Sequence, residues 1–91
     1  TEDWGLDVVL ASSQKGFMCP PGLCFVSLSE KAWKDVLPVI GYSHWDFNQL
    51  RTSLKNGTTP NTPSFSLLFA LNESLKMILD EDLTNVWQRQ R

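Results

Sequence analysis

The chain has 91 residues, a length that allows one small domain at most. Its composition, 42% hydrophobic and 20% charged, is ordinary for a globular protein and too apolar for a disordered tail. The net charge is only −2 with no basic run, and no apolar stretch approaches the roughly 20 residues needed to cross a bilayer. We therefore expect no nucleic-acid or membrane partner, and the acidic start, unlike a signal peptide, favours a soluble intracellular protein.

Two short apolar runs predict strands that are buried on both faces. The first is Val8 to Ala11, and the second, Leu23 to Leu28, is rich in β-formers and follows the turn sequence Pro20-Pro21-Gly22. Because a two-stranded sheet is marginal in water, other strands must pair with these two. The sequence therefore predicts an α/β fold of which this chain is one part.

Helices are predicted after the second strand. Ser29 is typical of an N-cap, and the helix that it begins should end near Pro38. A second, short helix is expected from about Asp46 to Leu54, because Asn56-Gly57 is a strong turn signal.

The longest helical pattern follows Thr62-Pro63. Its apolar residues recur on one stripe, and its polar residues lie largely opposite. The stripe is formed by Leu68, Leu71, Leu75 and Ile78, and the polar face by Asn72, Glu73, Lys76 and Asp80. Asp82 can cap one more short helix.

Lys15 lies just beyond the carboxyl end of the first strand, where open α/β sheets bind their ligands. A lysine that forms a Schiff base needs an amine that loses its proton easily, and a cofactor that acts as an electron sink. On position alone, a solvated surface lysine is the commoner interpretation.

Thr62 is a second candidate, because it precedes Pro63 and is predicted to be the N-cap of the longest helix. Free backbone N–H groups and the positive end of the helix dipole would then make an anion site beside its hydroxyl. A plain cap without a ligand is the alternative.

No metal site is expected. The spacing of Cys19 and Cys24 matches neither a redox CxxC nor a four-ligand zinc site, so both are interpreted as small buried hydrophobic residues. The single histidine, His44, has no triad partner at a suitable spacing, and one histidine cannot form a metal site.

Seven segments, in order and spacing, resemble class V aminotransferases of the alanine/serine–glyoxylate type. They are Trp4 to Val9, Ser12 to Gly16, Pro20 to Leu23, Ser29 to Ala32, Thr59 to Pro63, Ala70 to Leu75 and Leu83 to Trp87. The resemblance covers essentially the whole chain. Its most specific part is the Ser-Gln-Lys sequence that ends at Lys15, with Pro-Pro-Gly a few residues later.

The resemblance implies a pyridoxal-phosphate enzyme of fold type I. Lys15 would form the Schiff base with pyridoxal 5'-phosphate and then carry the proton between the substrate Cα and the cofactor C4′. In the family, the residue matching Gln14 contacts the cofactor phosphate. Residues matching Thr59 and Thr62 reach the phosphate in the neighbouring subunit's active site, which implies a homodimer with shared sites.

The implied reaction moves an amino group from a small amino acid, such as alanine or serine, to a 2-oxo acid such as glyoxylate or pyruvate. Residues 1–91 would be the central part of the cofactor-binding large domain. The aspartate under the pyridine nitrogen would precede Thr1, and the arginine for the substrate carboxylate would follow Arg91 in the small domain. This segment alone is therefore not expected to be active. Its expected location is the cytoplasm, or an organelle such as the peroxisome in a eukaryote.

Two other interpretations compete with the aminotransferase. The chain could belong to a noncatalytic relative that docks on a partner through the aromatic segment Tyr42 to Phe47. It could also belong to another class V enzyme, such as a lyase. Cysteine desulfurases typically have a histidine directly before the lysine, where this chain has Gln14, and that difference argues against them.

Overall fold

The computed structural model describes residues 4–37 and 46–91, so His44 and most of the aromatic segment Tyr42 to Phe47 lie outside the described residues. The elements are β1 (Val8–Ser12), β2 (Cys24–Leu28), α1 (Glu30–Asp35), α2 (Phe47–Lys55), α3 (Phe65–Glu81) and α4 (Leu83–Arg89). The chain divides into two compact units. Unit 1 comprises Thr1–Val8 and Leu28–Pro63, and unit 2 comprises Val9–Ser27 and Ser64–Arg91.

The two predicted strands are present and pair with each other in one antiparallel sheet. The pairing continues past both strand ends, where the Ser13 N–H donates to the Leu23 carbonyl at 3.1 Å and the Ser29 N–H to the Asp7 carbonyl at 2.9 Å. The expectation of burial on both faces is wrong for this chain, since Val8 and Leu10 are 53% and 67% exposed. Successive side chains alternate between the faces of a strand, and the described residues cover one face better than the other.

In unit 1, the start of β1 is joined to the start of α1. Ser29 caps α1 as predicted, because its hydroxyl oxygen accepts from the Ala32 N–H at 3.0 Å. The same hydroxyl donates to Asp7 at 2.8 Å, and Lys31 donates to the other carboxylate oxygen at 3.0 Å. The hydrogen bond from Ser29, followed by the charge of Lys31, lowers the pKa of Asp7.

Helix α2 begins and ends close to the predicted residues. The Asp46 carboxylate accepts from the backbone N–H groups of Asn48 and Gln49. At the other end, the Gly57 N–H donates to the Leu54 carbonyl and the Thr58 N–H to the Ser53 carbonyl, which is the hydrogen-bond pattern of a Schellman motif. Gly57 has a φ of 68°, the left-handed conformation that this ending requires.

In unit 2, the long helix α3 is followed at once by α4, whose N-cap is the predicted Asp82. The buried face of α3 matches the predicted stripe only in part, since of the four predicted residues only Ile78 is buried. Ser74 and Ile78 are the buried positions, whereas Leu68 and Leu75 are exposed. Val86 of α4 is buried as well. Of the helices within residues 4–37 and 46–91, none is long and apolar enough to cross a membrane.

Candidate functional site

Lys15 lies in the loop between β1 and β2, as the sequence predicts. The loop turns at this residue, because the Lys15 N–H donates to the Ser12 carbonyl at 3.3 Å and the Lys15 carbonyl accepts from the Met18 N–H at 2.9 Å. The Lys15 side chain is exposed, and it makes no hydrogen bond or ion pair with the residues that the structure describes. It borders a surface depression of about 440 Å³, lined also by Leu10, Ala11, Ser12, Gly16 and Phe17.

The strand side of this loop is fixed by Ser13, whose side chain is fully buried at 0% exposure. Its hydroxyl donates to the Pro20 carbonyl at 2.7 Å and accepts from the Leu23 N–H at 3.2 Å. Its backbone carbonyl accepts from the Cys19 N–H at 3.0 Å. Ser13 therefore joins the two ends of the loop, and Lys15 to Met18 lie between the residues that it connects.

The other side of the loop is held by helices α3 and α4. Three successive residues after Lys15 each receive a polar side chain: Gln90 donates to the Gly16 carbonyl at 3.3 Å, Ser74 donates to the Phe17 carbonyl, and an Arg89 N–H lies 3.8 Å from the Met18 sulfur. The Phe17 ring also packs against Phe25 of β2, with 4.5 Å between ring centroids. The backbone beside Lys15 is thus anchored, whereas its amine is left available.

The Pro-Pro-Gly sequence has a clear structural role at the end of this loop. Pro20 supplies the carbonyl that accepts from Ser13. Gly22 has a φ of 135°, and a Cβ at this position would lie 2.6 Å from the Leu67 Cδ1 atom of α3. Because an L-residue rarely adopts such a φ, only glycine fits without backbone strain, and a Cβ would also require the end of the Leu67 side chain to move.

The remaining predicted cofactor residues fall in different units. Gln14 is exposed beside Lys15 in unit 2, and its side chain has no hydrogen-bond partner among the described parts of the chain. Thr59 and Thr62 belong to unit 1 and are also exposed.

The predicted capping role of Thr62 is wrong, because α3 begins at Phe65 with Ser64 as its N-cap residue. Ser64 itself makes no side-chain capping hydrogen bond. The start of this helix is therefore not set by a capping side chain, and the Thr62 hydroxyl does not lie at the N-cap, where an anion site was predicted.

Reasoning from the sequence missed Ser13, Ser74 and Gln90. A serine directly after an apolar strand is typical of a loop, and nothing in the pattern marks it as buried. Ser74 does lie four positions before Ile78, on the same face of a helix. That spacing could have placed it in the buried stripe.

The cysteines differ from each other. Cys19 is buried and its thiol donates to the Phe17 carbonyl at 3.3 Å, whereas Cys24 is exposed, so the prediction that both are buried is wrong for Cys24. Cys24 is the first residue of β2, and it lies on the same face as the exposed Val26. Within the described ranges, no group of three or more His, Cys, Asp or Glu residues could hold a metal ion.

Comparison with known proteins gives relatives along almost the whole chain, although no family model matches it. The chain is 44% identical over 89 residues to the protein named soluble hydrogenase, small subunit, of Synechococcus sp., covering 97% of this chain and 23% of that protein. It is 38% identical over 89 residues to the L-aspartate–glyoxylate aminotransferase of Paracoccus denitrificans, and this match covers 97% of this chain and 22% of that protein. It is 37% identical over 90 residues to the serine–glyoxylate aminotransferase of Arabidopsis thaliana, and this match also covers 97% of this chain and 22% of that protein.

Two solved structures of aminotransferases also match this chain. The crystal structure of alanine–glyoxylate aminotransferase from Nostoc sp. matches with a TM-score of 0.86 and 30% identity, covering 97% of this chain and 24% of that one. The crystal structure of an aspartate aminotransferase from Thermus thermophilus matches with a TM-score of 0.77 and 32% identity, covering 99% of this chain and 24% of that one. The mixed α/β fold is therefore shared with these aminotransferases. The chain spans less than a quarter of the length of the proteins that it matches.

Proposed function

Because this chain belongs to the family of the class V glyoxylate aminotransferases, we propose that it is part of a pyridoxal-phosphate-dependent aminotransferase. The complete enzyme would move an amino group from a small amino acid, such as alanine or serine, to a 2-oxo acid such as glyoxylate or pyruvate. The observation that carries the proposal is Lys15, an available amine on a loop that is anchored on both sides. Residues 1–91 would be the central part of the large, cofactor-binding domain of a soluble enzyme in the cytoplasm or an organelle.

The residues present fit this cofactor. Lys15 supplies a primary amine without a competing partner among the described residues, beside an open depression. When bound, pyridoxal phosphate would supply an electron sink for the charge that develops at the substrate Cα. Lys15 would hold the cofactor covalently and, once released, take the proton from the Cα, which requires its amine in the neutral form.

Gln14, Thr59 and Thr62 are the proposed phosphate contacts. An amide N–H and two hydroxyls can each donate to a phosphate oxygen. We propose that Gln14 serves the cofactor on Lys15 of its own subunit. Thr59 and Thr62 would serve the site of the neighbouring subunit, so the active form would be a homodimer.

The attachment of the cofactor is tested by chemical labelling of the complete enzyme. Reduction of the holoenzyme with borohydride, followed by peptide mapping, should place the cofactor label on Lys15. Absorbance above 400 nm should be present before reduction and absent from the Lys15→Ala variant. A label on a different lysine would refute the assignment, and no label at all would favour a noncatalytic relative. A lyase would be recognised by turnover of its amino acid substrate in the absence of a 2-oxo acid acceptor.

A second test concerns Thr62. Loss of a charge-assisted hydrogen bond costs about 1.5–3 kcal/mol, so Thr62→Ala should weaken cofactor binding by about ten-fold or more, whereas Thr62→Ser should retain it. Since Ser64 and not Thr62 is the N-cap residue, the unfolding midpoint of the apo enzyme should change little.

Thr58→Ala is the matched control for Thr62→Ala. The Thr58 hydroxyl donates to the Ser53 carbonyl in the last turn of α2, so its loss should leave cofactor affinity unchanged. Equal cofactor affinity of Thr62→Ala and wild type would contradict the contact. A monomeric enzyme that binds its cofactor normally would contradict the shared site.

A further inference from the structure

We propose that Ser74 of α3 is a positioning residue for Lys15, and that it acts through the backbone carbonyl of Phe17. The proposal rests on the proposed function of Lys15, and it adds a residue that touches neither cofactor nor substrate. Ser74 is 57 positions from Phe17 in the sequence, so the contact joins two distant parts of unit 2.

The first observation is that the Ser74 hydroxyl does not serve its own helix. A serine inside a helix commonly donates to a carbonyl one turn earlier, or points into solvent. Ser74 is instead 6% exposed and donates to the Phe17 carbonyl in the lysine loop. A small apolar residue could fill this position equally well, so the contribution specific to the hydroxyl is the contact with the loop.

The second observation is the position of that carbonyl. Phe17 lies between Lys15 and Met18, whose backbone groups close the turn at 2.9 Å. On the far side, Ser13 is fully buried and bonded to Pro20 and Leu23. Ser13 and Ser74 therefore fix the backbone on the two sides of Lys15, one from the strand end and one from the helix.

The consequence concerns proton transfer. The amine of a general base must come within about 2.6–3.2 Å of the atom whose proton it takes. A misplacement of about 1 Å can cost about 10²-fold in rate. An unpaired lysine side chain has many rotamers, so the anchored backbone is what restricts the region that its amine can reach.

The test uses the complete holoenzyme with three substitutions of Ser74. Ser74→Ala removes the hydroxyl, Ser74→Cys keeps the size but offers only a weak donor, and Ser74→Thr keeps the hydroxyl. We expect kcat to fall by about ten-fold or more in Ser74→Ala and Ser74→Cys, with KM within about two-fold of wild type. Ser74→Thr should recover most of kcat.

Ser66→Ala is the matched control, because Ser66 is an exposed serine of the same helix. Unchanged kcat in a folded Ser74→Cys enzyme would overturn the proposal, and so would an equal fall in Ser66→Ala. Borohydride mapping of each variant separates the two hypotheses. A wild-type enzyme without label on Lys15 refutes the proposed function, whereas labelled variants with normal kcat refute only the role of Ser74.

Discussion

Replacing Lys15 by alanine in the complete enzyme is expected to lower kcat by at least about 10³-fold. A positioned general base contributes roughly 10²–10⁴-fold, and under the proposed function the same substitution would also remove the covalent attachment of the cofactor. The fold of the loop should survive, since the contacts that anchor it are made by Ser13, Phe17 and the Lys15 backbone, not by the Lys15 side chain. Steady-state kinetics together with the unfolding midpoint of the apo enzyme would separate loss of chemistry from loss of structure.

Lys15→Arg makes this test sharper. Arginine keeps a positive charge on a side chain of similar length, but its guanidinium does not lose a proton in proteins. If the amine must be neutral to act, Lys15→Arg should be about as inactive as Lys15→Ala. Lys55→Ala is the control, because Lys55 is an exposed lysine at the end of α2. Substantial activity of Lys15→Arg would show that only the charge matters.

Local signals in the sequence were sufficient to place most helix starts. Ser29, Asp46 and Asp82 each accept a hydrogen bond from a backbone N–H in the first turn. Ser29 and Asp82 were predicted as caps from residue type and position, and a helix was predicted to begin near Asp46. The preference of a short polar side chain for an N-cap is a local property, so it can be recognised without knowledge of the rest of the fold.

The start of α3 was not predicted correctly. Both Thr62 and Ser64 have suitable side chains, and Pro63 fits beside either of them. In the structure Ser64 occupies the N-cap without making a capping hydrogen bond. The start of this helix is therefore not set by a capping hydrogen bond, and residue type alone does not distinguish between the two positions.

Contacts between distant residues explain the other differences. The hydrogen bonds from Ser29 and Lys31 to Asp7 join two segments that are more than 20 residues apart in the sequence, and no local pattern predicts this contact. Likewise, the position of Lys15 could be predicted from the end of a strand, but its anchoring by Ser13 and Ser74 could not. The spacing of Ser74 from Ile78 could have indicated that Ser74 is buried, but not which carbonyl its hydroxyl contacts, because that acceptor is 57 positions away.

The last prediction concerns Gly22, the glycine of the Pro-Pro-Gly sequence. Gly22→Ala should destabilise the apo enzyme by about 3 kcal/mol, because a φ of 135° strains an L-residue and the new Cβ would lie 2.6 Å from Leu67 Cδ1. Gly57→Ala is the matched control. Gly57 also has a positive φ, of 68°, but a Cβ there would meet nothing within 4 Å. Its expected cost is only the roughly 1–2 kcal/mol of a left-handed L-residue.

A double-mutant cycle distinguishes the two sources of the Gly22→Ala cost. Leu67→Ala alone should destabilise by removing a partly buried side chain, but it also vacates the space that the Cβ needs. The combined variant should therefore lose less stability than the sum of the two single variants, by about 1 kcal/mol or more. Chemical unfolding of the apo enzymes would measure this coupling. Additive effects would mean that Leu67 gives way freely, and that the backbone conformation at Gly22 is the whole reason for a glycine at this position.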